Sequence, residues 1–399
     1  MTGSLTVVNG LIFDGHGPDL VEADVRIEGG RIAELGPGLG ASGRVLDARG
    51  RVVVPGLIDC HFHAYGTSLD MLELAGSRLS YVALLGAQRL SRALHRGFTT
   101  VRDVAGGDIG LAQAIAEGVI TSPRYYYTGA ALSQTGGHGD PRDARLDLCC
   151  GNQHDTEVVD GVDALRVAVR ERIRTGAHAI KIMASGGVVS LSDPIRVPQY
   201  SAEEIRVVTE EAGRRGLYVA AHAYSPESIV HAVTNGVRSI EHGNLLDAAT
   251  AALMAEHGSV LVPTLVTYRV MSERGAELGM AEVARRKNDE VLDAGQRAVE
   301  LAMAAGVVVG FGTDLMGELE SEQLRGVQLQ HEVQGTLELL RSLTSRNAAI
   351  LGVDDVGWIR PGAAGDLLIL DGDPFARPEV LWQRSAGRVV VQGGVIVAG

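Results

Sequence analysis

His61 and His63 stand one residue apart at the end of the run VVVPGLIDCHFH. On an extended strand that spacing turns both imidazoles to the same face. Paired imidazoles on a buried face need a metal ion or buried polar partners. Lys181 in AIKIMAS, His222 in YVAAHAY, His242 in SIEHG and Asp314 in VVVGFGTD occupy comparable places in later apolar runs. A lysine inside an apolar strand is costly unless it is paired, reaches solvent or is neutral. Lys181 is therefore either ion-paired or snorkelling outward, or an amine of lowered pKa that captures CO₂. The resulting carbamate has two oxygens and a negative charge, and can bridge two cations. Taken singly, His222 and His242 read as satisfied core histidines; facing an HxH pair, they read as metal ligands. Asp314 can bind a metal through one oxygen and exchange a proton through the other, or it can cap the following helix.

Weaker signals surround this set. His138, in LSQTGGHGDPRD, either reaches over the same face or is a loop histidine without a role. Tyr224, two residues past His222, points to the same side; it either hydrogen-bonds a substrate polar group or packs in the mouth of the site. Arg142, Arg145 and Arg196 lie in the long segments 133–155 and 186–200, as partners for a substrate carboxylate or as solvated surface charges. His16, His95, His154, His178, His231, His257 and His331 read as surface or core histidines. Alternation points Cys60 away from the face of His61. The pair Cys149–Cys150 lacks the spacing of a zinc site.

Such residues converge only if the runs that carry them end on one side of a common sheet. Between 55 and 355, short apolar runs alternate with segments of helical period such as SAEEIRVVTEEAGRRG and SPESIVHAVTNG, each with Ser at an N-cap and Gly beyond the end. Near-continuous apolar strands alternating with helices predict a parallel sheet covered by helices. The eight runs fit a closed (β/α)₈ TIM barrel, whose active site lies at the C-terminal ends of its strands. No GxGxxG follows the first run, which weakens a dinucleotide-binding alternative. Residues 1–54 and 356–399 have a different texture, of short alternating strands with Gly-Gly turns, as in ADVRIEGGRIAELG and GRVVVQGGVIVAG. They are expected to meet in one small β-sandwich domain.

With 399 residues, 45% of them hydrophobic, the chain can bury a large core. A net charge of −13 argues against a nucleic-acid partner. No apolar run approaches the roughly 20 residues that span a bilayer, and no secretory signal is visible. Three cysteines, two of them adjacent, do not make a disulfide framework. A cytoplasmic protein acting on a small molecule is expected.

Taken together, VPGLIDCHFH, IKIMASGG, AHAYSPESIVHAVTNGVRSIEHG, GFGTD and RPGAAGDLLILDGDP resemble the amidohydrolase superfamily over nearly the whole chain. Within it the sequence is similar to the branch of imidazolonepropionase-like proteins and prolidase-like dipeptidases; GGHGD and the Lys181 context point to the binuclear group. The resemblance implies two divalent metal ions, expected to be Zn²⁺. His61, His63 and Asp314 hold one, His222 and His242 the other, and carbamylated Lys181 and a hydroxide bridge them. It further implies Asp314 as proton carrier, with His138 and Tyr224 steadying the oxyanion or a substrate carboxylate. The expected substrates are small dipeptides or N-acyl amino acids, including amide-linked compounds with an amino-acid half. Lactone, ester or phosphotriester hydrolysis and cyclic-amide hydrolysis are the alternatives. By analogy with other barrels carrying a flanking sheet, a homo-oligomer is expected.

Overall fold

The computed structural model describes residues 3–40, 42–142 and 154–399; Arg145, Cys149 and Cys150 lie outside them. Five strands open the chain: β1 (Leu5–Ile12), β2 (Val21–Glu28), β3 (Arg31–Gly36), β4 (Arg44–Asp47) and β5 (Val52–Pro55). The middle carries β6 (Leu57–Phe62), β7 (Phe98–Asp103), β8 (Arg124–Tyr127), β9 (Ala131–Ser133), β10 (Thr156–Val158), β11 (Ile180–Met183), β12 (Val219–Ala223), β13 (Ser239–His242) and β14 (Val260–Val262). The closing strands are β15 (Leu367–Ile369), β16 (Val389–Gln392) and β17 (Val395–Ala398).

The two chain ends meet, as their texture predicts. Their strands form one sheet in the order β17-β16-β15-β5-β1-β2-β3, with β4 paired to β1. Period-two alternation gives the sheet two jobs. Val53, Leu367, Ile369 and Val391 face a local core with Leu5 and Val7. Val52, Val54, Leu368 and Val390 point the other way, into a second core with Leu94, Phe98 and Leu340 from the middle of the chain. Each such side chain, fully buried, contributes roughly 1.5–3 kcal/mol.

In the middle segment the strands are parallel, in the orders β6-β7-β8 and β10-β9-β11-β12-β13-β14. Helices between them start where the side chains dictate. Ser201 and Glu204 form a capping box for the helix Ala202–Gly213, and Ser225 caps the helix Pro226–Thr234 with proline in its first turn. Two runs differ from expectation. RYYYTGAAL breaks into β8 and β9, and 307–314 forms only a single parallel bridge, Val309 to Leu261, rather than a strand. Its backbone nevertheless bonds on both sides, Gly310 N–H to Leu261 O at 2.8 Å and Cys60 N–H to Phe311 O at 2.9 Å. The segment lies too close to its neighbour for a side chain at Gly312, where a Cβ would sit 2.5 Å from that of His61. Among the described residues, no helix is long and apolar enough to cross a membrane.

Candidate active site

Parallel register sets the depth of each candidate. Met183 pairs with His222, and Ala223 with His242, so the ends of β11, β12 and β13 lie at one level. His61 and His63 leave the end of β6, and Asp314 N–H donates to the His61 carbonyl at 2.8 Å. His61, His63, His138, Lys181, His222, Tyr224, His242 and Asp314 all line one cavity of about 70 Å³. His16, His95, His154, His178, His231, His257 and His331 do not line it, and Cys60 turns away toward the Asn347 carbonyl.

Asp314 sits at the centre. Its Oδ1 is 2.8 Å from His63 Nε2 and 3.4 Å from His61 Nε2, and its Oδ2 is 3.8 Å from His242 Nδ1. One ligand atom from each of His61, His242 and Asp314 lies within 4.8 Å of the others. His242 and Asp314 both hold left-handed backbone conformations, with φ of 72° and 56°. Non-glycine residues seldom adopt this region unless the surroundings enforce it, and such positions cluster at functional sites.

Burial sets the protonation of the cluster. It drives His222 and His242 well below the ordinary imidazole value, helped by neighbouring cations, so both are neutral and able to ligate. Lys181 is lowered from 10.5 to about 8, burial outweighing the pull of Glu241 and Asp314. Burial pushes Asp314 up, but His61, His63 and His242 outweigh it and hold the carboxylate ionised.

Second partners fix which imidazole nitrogen faces the cavity. Glu241 binds His61 Nδ1 at 2.7 Å, Thr264 Oγ1 binds His242 Nδ1 at 2.8 Å, and the Gly186 carbonyl binds His222 Nε2 at 3.1 Å. The Thr264 contact continues through Tyr268 to Tyr224, at 3.2 and 2.9 Å. If each group donates forward along this chain, His242 Nε2 is left bare and the Tyr224 O–H is free to donate into the cavity. His138 stacks on His222 with ring centroids 4.2 Å apart, and its Nδ1 lies 2.8 Å from Ser190 Oγ. A Cβ at Gly187 would fall 2.1 Å from the His138 ring, so only glycine leaves that ring room. Lys287 ties the same loop down, donating to the carbonyls of Gly187, Ser190 and Asp193 at 2.9, 2.8 and 2.6 Å.

A protein-family model described as the amidohydrolase family matches residues 52–397. The chain belongs to that family. Among relatives, ochratoxinase from Aspergillus niger is 32% identical over 425 residues, spanning 98% of this chain and 86% of that protein. A crystal structure of a prolidase complexed with N-methylphosphonate-L-proline matches with a TM-score of 0.95 and 42% identity, over 98% of this amidohydrolase and 99% of that chain. A Xaa-Pro dipeptidase with methionine bound in its active site matches with a TM-score of 0.87 and 29% identity, over 98% and 99% of the two chains.

Several residues of this amidohydrolase escape a reading by motif. Arg102 Nη2 donates to both oxygens of Glu241 at 2.8 Å, directly behind His61. Burial pushes Glu241 up, yet Arg102 and His61 outweigh it and hold it well below the usual carboxylate range. Asp59 accepts from the Thr313 hydroxyl at 2.6 Å and the Gln323 amide at 2.9 Å, joining β6 to the segment that carries Asp314. The available signal was charge inside apolar strands, in TTVRD and SIEH. Of the arginines considered for a substrate carboxylate, Arg142 is held by Asp140 at 2.7 Å, and Arg196 is held by Glu290 at 2.8 Å.

Proposed function

We propose that this amidohydrolase cleaves the amide bond of small dipeptides or N-acyl amino acids with a free carboxylate, using two divalent metal ions, preferably zinc. The observation that carries the reading is the convergence of all eight candidate side chains on one cavity. The dipeptidase and prolidase activities named for two of the similar structures support it. The hydrogen bonds that tie 307–314 to β14 on one side and β6 on the other favour a (β/α)₈ barrel over 55–355, with 1–54 and 356–399 as a β-sandwich companion.

The donor set suits divalent cations: neutral buried imidazoles, an ionised carboxylate, and a lysine that makes no hydrogen bond or ion pair among the described residues. His61, His63 and Asp314 would hold one ion and His222 and His242 the other, with carbamylated Lys181 between them. When bound, the metals would activate water and polarise the scissile carbonyl. Asp314, central to the cluster, takes a proton from the attacking water and returns it to the leaving amine. Tyr224, directed by Tyr268, offers a donor to the developing oxyanion or the substrate carboxylate, and His138 closes the cavity over His222.

The test is turnover of protein reconstituted with zinc and bicarbonate on dipeptides, N-acyl amino acids, lactones and a phosphotriester. Cleavage confined to amides with a free carboxylate is the expected result. Silence on every amide, with lactones or the phosphotriester cleaved, overturns the choice of bond.

A further inference from the structure

The cavity around the cluster, about 70 Å³, is far smaller than the ~300–1,000 Å³ of ordinary ligand sites. A substrate the size of a dipeptide must extend beyond it. A second chamber of about 280 Å³ adjoins it, and His138, Leu69, Met71 and Val189 line both. One part of the second chamber is apolar, built from Leu72, Leu191, Leu278 and Met280. Leu72 and Leu191 stay 38% and 48% exposed at this opening. Lone exposed leucines need no explanation, but two of them lining a chamber that shares a wall with a reactive cavity provide apolar surface to be covered.

The polar part is acidic. Among the described residues, Asp70, Glu73 and Asp140 line it with one cation, Arg142, which Asp140 grips through both oxygens. Asp70 caps the helix Met71–Gly76 and Glu73 accepts from Ser68, so both carboxylates are fixed in place. The described lining, with three acids to one paired arginine, repels the carboxylate-bearing half of a substrate. That half is left to the inner cavity, and the chamber falls to the acyl half.

We propose that the chamber binds the acyl half of the substrate, and that the preferred class is N-acyl amino acids whose acyl group is long, apolar and uncharged. The inference rests on the amide reading above and adds the substrate class. It predicts that kcat/KM on N-octanoyl-phenylalanine exceeds that on N-acetyl-phenylalanine by about a hundredfold, with N-succinyl-phenylalanine no better than acetyl. Leu191→Ser and Leu72→Ser should each reduce the octanoyl-to-acetyl ratio by about five- to tenfold. Both leucines are partly exposed, so the variants should fold, which circular dichroism verifies. Equal kcat/KM for the three substrates, or a ratio that survives both substitutions, overturns the chamber assignment while leaving amide cleavage standing. No cleavage of any of the three beside turnover of dipeptides overturns the N-acyl class alone, whereas silence on every amide overturns the amide reading and this inference with it.

Discussion

Lys181 is 2% exposed and faces the attraction of Glu241 and Asp314, yet burial prevails and lowers it to about 8. The sign of the consequence follows from linkage. Below pH 8 the amine is protonated both folded and unfolded, and the metal-free fold bears the whole cost of the buried charge. Between about 8 and its ordinary 10.5 the folded state releases the proton first, so stability rises with pH through that window. Lys181→Met removes the effect. In urea unfolding of metal-free protein, the advantage of the variant over the parent should shrink by about 3 kcal/mol from pH 7 to pH 10.5. A difference independent of pH would show that the amine is solvated. The convergence of these side chains on one cavity was legible in the sequence because HxH, AHAY and IEHG place polar side chains where otherwise apolar runs end. Arg102 and Glu241 were not legible as a pair. They lie 139 positions apart, and only the packing of strands reveals that one neutralises the other behind His61.

At the scale of elements, the helix Glu282–Leu292 reaches the loop beneath His138 through Lys287. Lys287 donates to three carbonyls of the loop 187–193, and that loop supplies Ser190 to His138 and the open space at Gly187. Lys287→Met frees the loop and lets the imidazole drift from His222. A positioning partner of this kind is worth roughly 10- to 100-fold in activity, so kcat/KM on the best amide should fall by about that factor. In a His138→Ala background the same substitution should cost little further, because the interaction it supports is already gone. Equal losses in both backgrounds would reduce Lys287 to a general stabiliser. Element boundaries explain what sequence reading misplaced here. Thr156–Val158 is only three residues long, too short for periodicity to register, and it adds β10 to the edge of β9. The expected last strand, 307–314, is apolar enough to suggest one, but its glycines and the left-handed turn at Asp314 leave it a bridge rather than a ladder.

Across the whole molecule, the chain ends do more than tie off the fold. The sheet they form presents Val52, Val54, Leu368 and Val390 to the core that also holds Phe98 at the start of β7 and Leu94 from the helix before it. β5 ends at Pro55, and β6, which carries His61 and is followed directly by His63, begins two residues later at Leu57. The end sheet therefore anchors the segment that carries His61 and His63 from behind. Its pairing was legible from the shared Gly-Gly hairpin texture, whereas the order in which the strands join was not, since similar short alternating strands permit many orders. In the proposed mechanism this arrangement holds two metal ions that together cleave an amide. The most direct test titrates zinc into metal-free protein with bicarbonate, counting bound metal per chain and following turnover on an N-acyl amino acid in the same sample. Two ions per chain and activity that rises with occupancy are expected, both lost in Lys181→Ala. Full amide turnover in protein stripped of metal would contradict that mechanism.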